Sequence, residues 1–319
     1  MKMKNPLVSV IIPTNNQREL LRECLESFAE REYDPVELIV VDNGSKDGSR
    51  EMVRSEFPEV RLLTFKAERG LGYITNRGIM AAKGEILAVG FNNDEVMKPG
   101  WIATLVDILQ TNSDVGIVGG LRIQYQERDI VDSAGGRLTI FGQKNYNGSS
   151  VSELPDADLL FVDFVEVPVF HRDILDDVGL LDENYHFYSE DTDFCLRAGN
   201  CGYNVAVSLD AISYHRRGAT SSQSEMSRYF SERNRLRVLL KNLCISRLIP
   251  ILVFWYVIRF PIKISLILLG RGVDDRGLAT KERWATRVRH IGLFLSAIWW
   301  NVRHLDETLK HRSKVRASS

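Results

Sequence analysis

The chain is poor in cysteine: its 319 residues carry four, Cys24, Cys195, Cys201 and Cys244. No two are spaced Cys-x-x-Cys, so zinc frameworks, dithiol redox motifs and a disulfide scaffold are not indicated. A reducing compartment is the default for such a chain. The first strand is not followed by Gly-x-Gly-x-x-Gly, the turn that seats a dinucleotide pyrophosphate, which argues against a dehydrogenase. The start, Met1-Lys2-Met3-Lys4-Asn5-Pro6, has no long apolar core of the kind a secretory leader needs, so a cytoplasmic body is expected. Internal repeats and low-complexity stretches are also missing.

What remains is 44% hydrophobic and 26% charged, enough for one large domain with an appendage or for two small domains. The net charge of −1 conceals an asymmetry. From Lys241 onward 15 Lys and Arg stand against 5 Asp and Glu, and the rest of the chain has 26 against 37. A basic tail behind an acidic body points to an anionic neighbour, and the tail's apolar content favours a membrane surface over nucleic acid. The expected division is an α/β domain over residues 1–240 and a basic, apolar helical tail over 241–319.

Hydrophobic patterning alternates strand and helix. Residues 7–12 read as a strand stopped by Pro13, 17–30 as an amphipathic helix, 37–41 as a second strand, 47–57 as a helix and 60–65 as a third strand. The loop Arg69-Gly70-Leu71-Gly72-Tyr73 leads to a helix over 74–82. Ile86 to Val89 is a short apolar run of the kind found in parallel strands covered on both faces. A helix to about residue 110 and a strand over 115–119 follow. This is a Rossmann-like, mostly parallel sheet flanked by helices. Residues 121–160 are irregular, with loops and a hairpin expected. Residues 161–170 read as one apolar strand, 204–209 and 212–214 as edge strands, and 224–242 as a helix carrying Arg228, Arg233, Asn234 and Arg237 on a mixed face.

In open α/β sheets, ligands collect at the carboxyl ends of strands. Asp42 lies at one such end. Asn92-Asn93-Asp94 lies at another, and its oxygen-rich side chains suit a hard divalent cation able to hold a nucleotide's phosphates. Ser189, a cap candidate, precedes Glu190 and Asp191 in the first turn of a helix, where the dipole favours ionised acids. An ionised carboxylate beside a cleft can act as a general base. Each cluster alone is also what an ordinary polar turn or helix start looks like. Glu166 interrupts an apolar run, where a buried acid is costly unless used or paired; it faces either the cleft or solvent. His215, arriving at a strand end near two acidic clusters, is a ligand candidate.

Three clusters in this order resemble the inverting family-2 glycosyltransferases of GT-A fold: Val10-Ile11-Ile12-Pro13-Thr14 with Val40-Val41-Asp42-Asn43-Gly44-Ser45, then Asn92-Asn93-Asp94, then Glu190-Asp191-Thr192-Asp193. His215 and Tyr229-Phe230-Ser231-Glu232-Arg233-Asn234 are most similar to the rhamnosyltransferase-like branch. The resemblance covers about residues 7–240. It implies a nucleoside pocket lined by Pro13 and Thr14, with Asp42 on the base. Asn15, Arg69, Asn76, Asn93 and Arg233 join the donor-binding set. Asp94 matches the metal-binding acid of the Asp-x-Asp motif, with Asn92 and His215 beside it and Mg²⁺ or Mn²⁺ as the ion. Asp191 matches the catalytic base, with Glu190 next to it, and Glu166 and Tyr188 are expected to meet the acceptor. The motif departs from the family at Asn92, where an acid is usual, and at Glu166-Val167, where many relatives have Gly-Ala. Transfer of a sugar from UDP, GDP or dTDP to a glycan or lipid-linked acceptor follows, with no nucleic-acid partner.

A sugar-nucleotide pyrophosphorylase shares this layout but carries a Gly-rich basic loop after its first strand, absent here. A degenerate binding module would have no reason to keep Asp42, Asp94, Asp191 and His215 together. In the tail, residues 248–269 are apolar but interrupted by Pro250, Arg259, Pro261 and Lys263, so a surface or re-entrant helix is expected over a clean span. Residues 291–302, with Trp299 and Trp300, are too short to span. Arg283, Arg287, Arg289 and Arg303 suit an anionic lipid surface at the inner face of the cell membrane. Packing on the body, or a homodimer interface, is the competing use of both segments.

Overall fold

The structure, a computed structural model, describes residues 5–30, 32–90, 93–216, 225–268 and 284–317. Asn92, Ser224, Leu269 and Arg283 therefore lie outside the described residues, as do the side chains of Lys263 and Arg287. The chain divides into two compact units, Met1–Arg137 with Asn145–Ser222 and Ser318–Ser319, and Leu138–Lys144 with Gln223–Ala317.

The first unit opens with β1 (Val8–Thr14), α1 (Arg18–Ser27), β2 (Val36–Asp42), α2 (Ser49–Glu56), β3 (Arg61–Thr64), α3 (Leu71–Ala81) and β4 (Ile86–Ala88). Every residue of β1 and β4 is buried, which is why both read as unbroken runs rather than alternations. β5 (Glu95–Met97), α4 (Trp101–Thr111), β6 (Val115–Gln124) and β7 (Val131–Ser133) follow; the two-stranded pair β8 (Arg137–Thr139) and β9 (Gly142–Lys144) comes next in the chain and, from Leu138 to Lys144, belongs to the second unit. The unit closes with β10 (Leu159–Val162), β11 (Val169–His171), α5 (Ile174–Val178), α6 (Glu190–Asn200) and β12 (Asn204–His215).

One sheet runs in the order β10-β12-β6-β11-β4-β1-β2-β3, with β5 paired to β12 and β7 to β6. β4, β1, β2 and β3 are mutually parallel, and β6 is parallel to β12. β11 is inserted antiparallel between β4 and β6. Leu21, Cys24, Leu25 and Phe28 of the α1 stretch and Trp101, Ile102, Leu105, Val106 and Leu109 of α4 repeat at helical spacing and share one core with Val10, Ile12, Val40 and Ile86. Burying each large apolar side chain contributes about 1.5–3 kcal/mol. Gly120 in β6 is required by this packing: a Cβ there would lie 2.3 Å from the Ala211 carbonyl oxygen and 2.4 Å from Trp101 Nε1.

Four expectations change. Residues 161–170 are not one strand: the chain bends at 163–168 and its two ends join opposite parts of the sheet, β10 on β12 and β11 on β4 and β6. Pro168 has no N–H for a ladder and so sits where the pairing breaks. Residues 204–214 are one strand with a register shift between Ser208 and Ile212, and it is internal rather than an edge. Ser189 occupies the N-cap position of α6, but its backbone is left-handed (φ 71°) and its side chain makes no capping bond. β6 runs on through Gly119 and Gly120 to Gln124, which brings Arg122 into the sheet.

The second unit holds α7 (Glu225–Asn242), α8 (Ile245–Leu252), a π-helical stretch (Val253–Arg259), α9 (Phe260–Leu268), α10 (Trp284–Arg303) and α11 (Leu305–Ala317). Residues 245–268 are continuous helix despite the two prolines. The mixed face of α7 is not solvated: Arg233, Asn234 and Arg237 are buried, and only Arg228 of the four is exposed. Arg237 donates to Thr308 Oγ1 (3.0 Å) and Glu307 Oε1 (3.1 Å) of α11, which satisfies a charge that burial would otherwise penalise.

Candidate active site

The carboxyl ends of β1, β2 and β4 are tied together by side chains. Asn93 Nδ2 donates to Thr14 Oγ1 (3.0 Å) and to the Asn16 carbonyl (3.2 Å), and both Thr14 and Asn93 are buried. Asn15 Nδ2 donates to the Asn43 carbonyl (2.6 Å). Asn43 in turn exchanges bonds with the backbone of Arg69, which fixes the loop before α3. Pro13 is buried, and Arg69 is exposed with its guanidinium 5.9 Å from the Tyr73 ring. Asp42 Oδ1 accepts from the Gly44 and Ser45 amides and from Arg50 Nε (2.5 Å). Its Oδ2 is buried and accepts no hydrogen bond, an acceptor position suited to a ligand N–H or O–H.

Asn76 is placed differently from its expected donor role. Its Nδ2 donates to the Leu181 carbonyl (2.9 Å) and Glu183 Oε1 (3.0 Å), and its Oδ1 accepts from Leu181 N–H (3.0 Å). The amide is engaged in joining α3 to the segment before α6. Arg233 belongs to the second unit, where its guanidinium lies 4.7 Å from the Phe230 ring and 4.4 Å from that of Trp300.

Asp94 is 1% exposed, and its Oδ2 lies 3.4 Å from His215 Nε2. The other ring nitrogen, Nδ1, pairs with Asp132 Oδ2 at 2.8 Å. Arg122 reaches Glu95 Oε1 (3.1 Å) and Asp132 Oδ2 (3.8 Å). Burial and the Arg122 charge oppose protonation of His215, but bonds to Asp132 and Asp94 and the charge of Glu95 outweigh them and raise its pKa to about 9. The strand end is clamped from outside: Arg216 pairs with Glu23 of α1 and lies 3.5 Å from the Tyr125 ring centroid, and the Tyr125 hydroxyl donates to Glu23 (2.5 Å). Arg216 N–H also donates to the Asp94 carbonyl (3.0 Å).

Among the described residues no group of three His, Cys, Asp or Glu is spaced to hold a metal by itself. Asp94 and His215 fit a different arrangement, in which a hard cation takes one or two protein ligands and completes its shell with phosphate and water. A histidine whose far nitrogen is held by a carboxylate is oriented as metal-ligating histidines are.

Glu190 and Asp191 open α6. Glu190 is 9% exposed and its Oε2 has no hydrogen-bond partner. Asp191 Oδ1 accepts from the Thr192 amide (2.6 Å). Burial, then the Asp191 charge, pushes the pKa of Glu190 up; burial, then the Glu166 charge, pushes that of Asp191 up. Glu166 lies in the 163–168 bend, accepting from Ser133 Oγ (2.5 Å), and its backbone carbonyl packs where a Cβ on Gly90 would sit 2.8 Å away. Arg122 is within electrostatic reach of Asp94 and Asp191: burial works against its charge, but Glu95 and then Glu166, Asp132 and Asp94 raise its pKa, and its own charge lowers that of Asp191. Glu166 is thus directed at Ser133 and lies within electrostatic reach of Arg122 and Asp191. Tyr188 is 37% exposed and, with His186 and Ser189, has a positive φ.

Residues 9–158 match the family model described as glycosyl transferase family 2. This stretch, just under half of the chain, is similar to family-2 glycosyltransferase domains. The motif-bearing strand ends Thr14, Asp42 and Asp94 fall within this match, whereas Asp191 and His215 follow it in the chain. Glycosyltransferase GlyG of Streptococcus pneumoniae is 33% identical over 126 residues, 39% of this chain and 41% of GlyG. Glycosyltransferase AglE of Haloferax volcanii is 28% identical over 215 residues, 66% of this chain and 67% of AglE. The chain spans only 25% to 41% of the length of the first curated relatives it matches. A solved mannosyltransferase from Pyrobaculum calidifontis, in complex with GDP-Man and Mn²⁺, superposes with a TM-score of 0.58 at 17% identity, covering 99% of this chain and 86% of that one. The likeness establishes the GT-A architecture: a mostly parallel central sheet flanked by helices, with C-terminal helices.

Within the matched stretch, Arg122, Asp132 and Ser133 were not foreseen from the sequence. Their signal was weak: Arg122 follows Gly119-Gly120, which reads as a strand end, and β7 is three residues long inside an irregular stretch.

Proposed function

We propose that the protein is an inverting glycosyltransferase that moves a sugar from a nucleotide-sugar donor to a hydroxyl of a glycan or lipid-linked acceptor. The observation that supports this reading is that Arg122, paired with Glu95 (3.1 Å) and with Asp132 (3.8 Å), the partner of His215, is also within electrostatic reach of Asp94 and of Asp191, two acids distant in sequence. One group suits a diphosphate and its counter-ion, the other a proton acceptor. The nucleoside is assigned to the β1 and β2 ends, with Pro13, Thr14, Asn15 and the open Oδ2 of Asp42. The GDP-Man and Mn²⁺ of the structural neighbour favour a sugar nucleotide with a divalent cation, Mg²⁺ or Mn²⁺.

In the mechanism, Asp94 and His215 would hold the cation, which when bound offsets the charge developing on the diphosphate. Asp191 accepts the proton of the acceptor hydroxyl as that oxygen attacks the anomeric carbon. The bond from that carbon to the diphosphate oxygen breaks, its electron pair leaves with the nucleoside diphosphate, and the anomeric configuration inverts. General-base assistance of this kind contributes about 10²–10⁴-fold. Glu166 and Tyr188 border the acceptor side. Asn76 holds the loop before α6 rather than the donor, and Arg69 remains a donor-side candidate. On Tyr229-Phe230-Ser231-Glu232-Arg233-Asn234 we place the chain nearest the rhamnosyltransferase-like branch. Residues 1–240 are assigned the catalysis, and the basic tail is assigned to the inner face of the cell membrane.

The test is a thermal-shift screen of UDP, GDP and dTDP with Mn²⁺, followed by turnover of Asp191→Asn. The expected outcome is stabilisation by one nucleotide, unchanged in the variant, with loss of transfer. Near-normal transfer by the variant removes Asp191 from the base role.

A further inference from the structure

Most of the exposed large apolar side chains among the described residues lie in the Leu138–Lys144 and Gln223–Ala317 unit, and they are ordered rather than scattered. Along the continuous helix from α8 to α9, Ile245, Ile249, Val253, Val257 and Ile262 recur at four- and five-residue steps and are all exposed, Val257 by 67%. The i→i+5 turns between Val253 and Arg259 carry Val253 and Val257, and Ile258 beside them is exposed as well. The opposite side is occupied: Leu248 and Ile251 are buried with Leu239 and Leu243 of this unit. α10 exposes Leu295, Trp299 and Val302, and α11 exposes Leu305 and Leu309, again at helical spacing.

Length and composition would allow a span. Ile245–Leu266 has 22 residues with a mean hydropathy of 1.6, about 33 Å at about 1.5 Å per residue, against a hydrocarbon core of about 30 Å. The apolar window is only 6% buried, and past Ile251 its contacts within the unit are partial, through Trp255 and through Tyr256 and Phe260 on the Phe294 ring; a helix so held at one side with an apolar stripe along the other meets an apolar phase sideways, as interfacial helices do. Exposed Arg247, Arg259, Arg303 and Lys310 lie on the same three helices. Their stems can follow apolar surface while the charges reach headgroups. From Lys241 onward basic residues exceed acidic ones by ten, so a second copy on this face would bring like charge to like, whereas an anionic bilayer complements it.

We propose that this unit is a monotopic docking module, its α8–α9 helix and the exposed stripes of α10 and α11 lying in the plane of an anionic lipid surface without crossing it. The proposal stands independently of the catalytic reading, because its measurements need no substrate.

The experiment uses the full chain with vesicles of phosphatidylcholine alone and of phosphatidylcholine with phosphatidylglycerol. Expected are co-sedimentation with the anionic vesicles that weakens at high salt, quenching of tryptophan by shallow but not deep brominated lipid, and release from membranes by alkaline carbonate. Val257→Asp removes one inserted side chain and should weaken binding by roughly ten- to a hundredfold with an unchanged circular dichroism spectrum. Trp299→Ala, on a different helix, should reduce both binding and quenching. Absence of binding to either vesicle overturns the proposal, as does carbonate-resistant insertion, which would mean a span. A vesicle-indifferent dimer that Val257→Asp dissociates also overturns it and assigns the face to a second copy.

Discussion

Replacing Glu166 with glutamine should make Asp191, in its proposed role as base, work at lower pH. The ionised form of Asp191 is disfavoured first by burial and then by the charge of Glu166, while the Thr192 bonds and Arg122 act in the opposite sense. Glutamine keeps an oxygen that can accept from Ser133 Oγ, so the geometry of the bend is retained while its charge is removed. Two carboxylates near a protein surface interact by about 1–3 kcal/mol at an effective dielectric of about 20. At about 1.4 kcal/mol per pKa unit, that is about one to two units. The sign follows from the role: a base must be ionised, so activity is lost as pH falls through its pKa, and removing a neighbouring negative charge lowers that pKa. The acid limb of kcat/KM against pH should move down by about one unit or more, whatever the change in plateau height. One unit below the wild-type midpoint, the wild type retains about a tenth of its plateau rate and the variant about half. The assay is nucleoside diphosphate release across the acid range at saturating Mn²⁺. An acid limb that stays in place, or moves up, refutes the electrostatic coupling of Glu166 to Asp191.

Two further outcomes test other parts of the structure. Asp132→Asn removes the carboxylate that holds His215 Nδ1 at 2.8 Å and should weaken Mn²⁺ binding, read by calorimetry, by roughly 10–100-fold, the usual effect of losing such a partner. Gly120→Ala places a methyl 2.3 Å from the Ala211 carbonyl oxygen and 2.4 Å from Trp101 Nε1; overpacking of this kind costs typically about 1–3 kcal/mol, and thermal unfolding should show a lower Tm.

The parts of the fold legible in the sequence are those whose pattern is local. β1, β2 and β4 announce themselves as buried apolar runs, and Thr14, Asp42 and Asp94 follow at their ends because the chain must leave a sheet into solvent. Ser189 as a cap candidate places Glu190 and Asp191 in a first turn; the turn is there, although the Ser189 side chain makes no capping bond. Arg122 and Asp132 were not legible, because their value lies in meeting Glu95 and His215, which are distant in the chain. The buried face of α7 escaped for the same reason: Arg237 looks like a solvated charge until Glu307 and Thr308, some seventy residues later, are brought against it. The split at 163–168 had a local sign in Pro168, outweighed by the apolar run around it.

Five described residues other than glycine hold a positive φ: Asn16, Gln17, His186, Tyr188 and Ser189. They occupy two loops, one leaving β1 and one entering α6. Such conformations cost of order 1–3 kcal/mol each when the residue is not glycine. Glycine would sit there more easily, yet in both places the chain keeps a side chain able to touch a ligand. These loops are thus held uphill by the framework around them, and they are where a substrate would find a surface already shaped before it arrives.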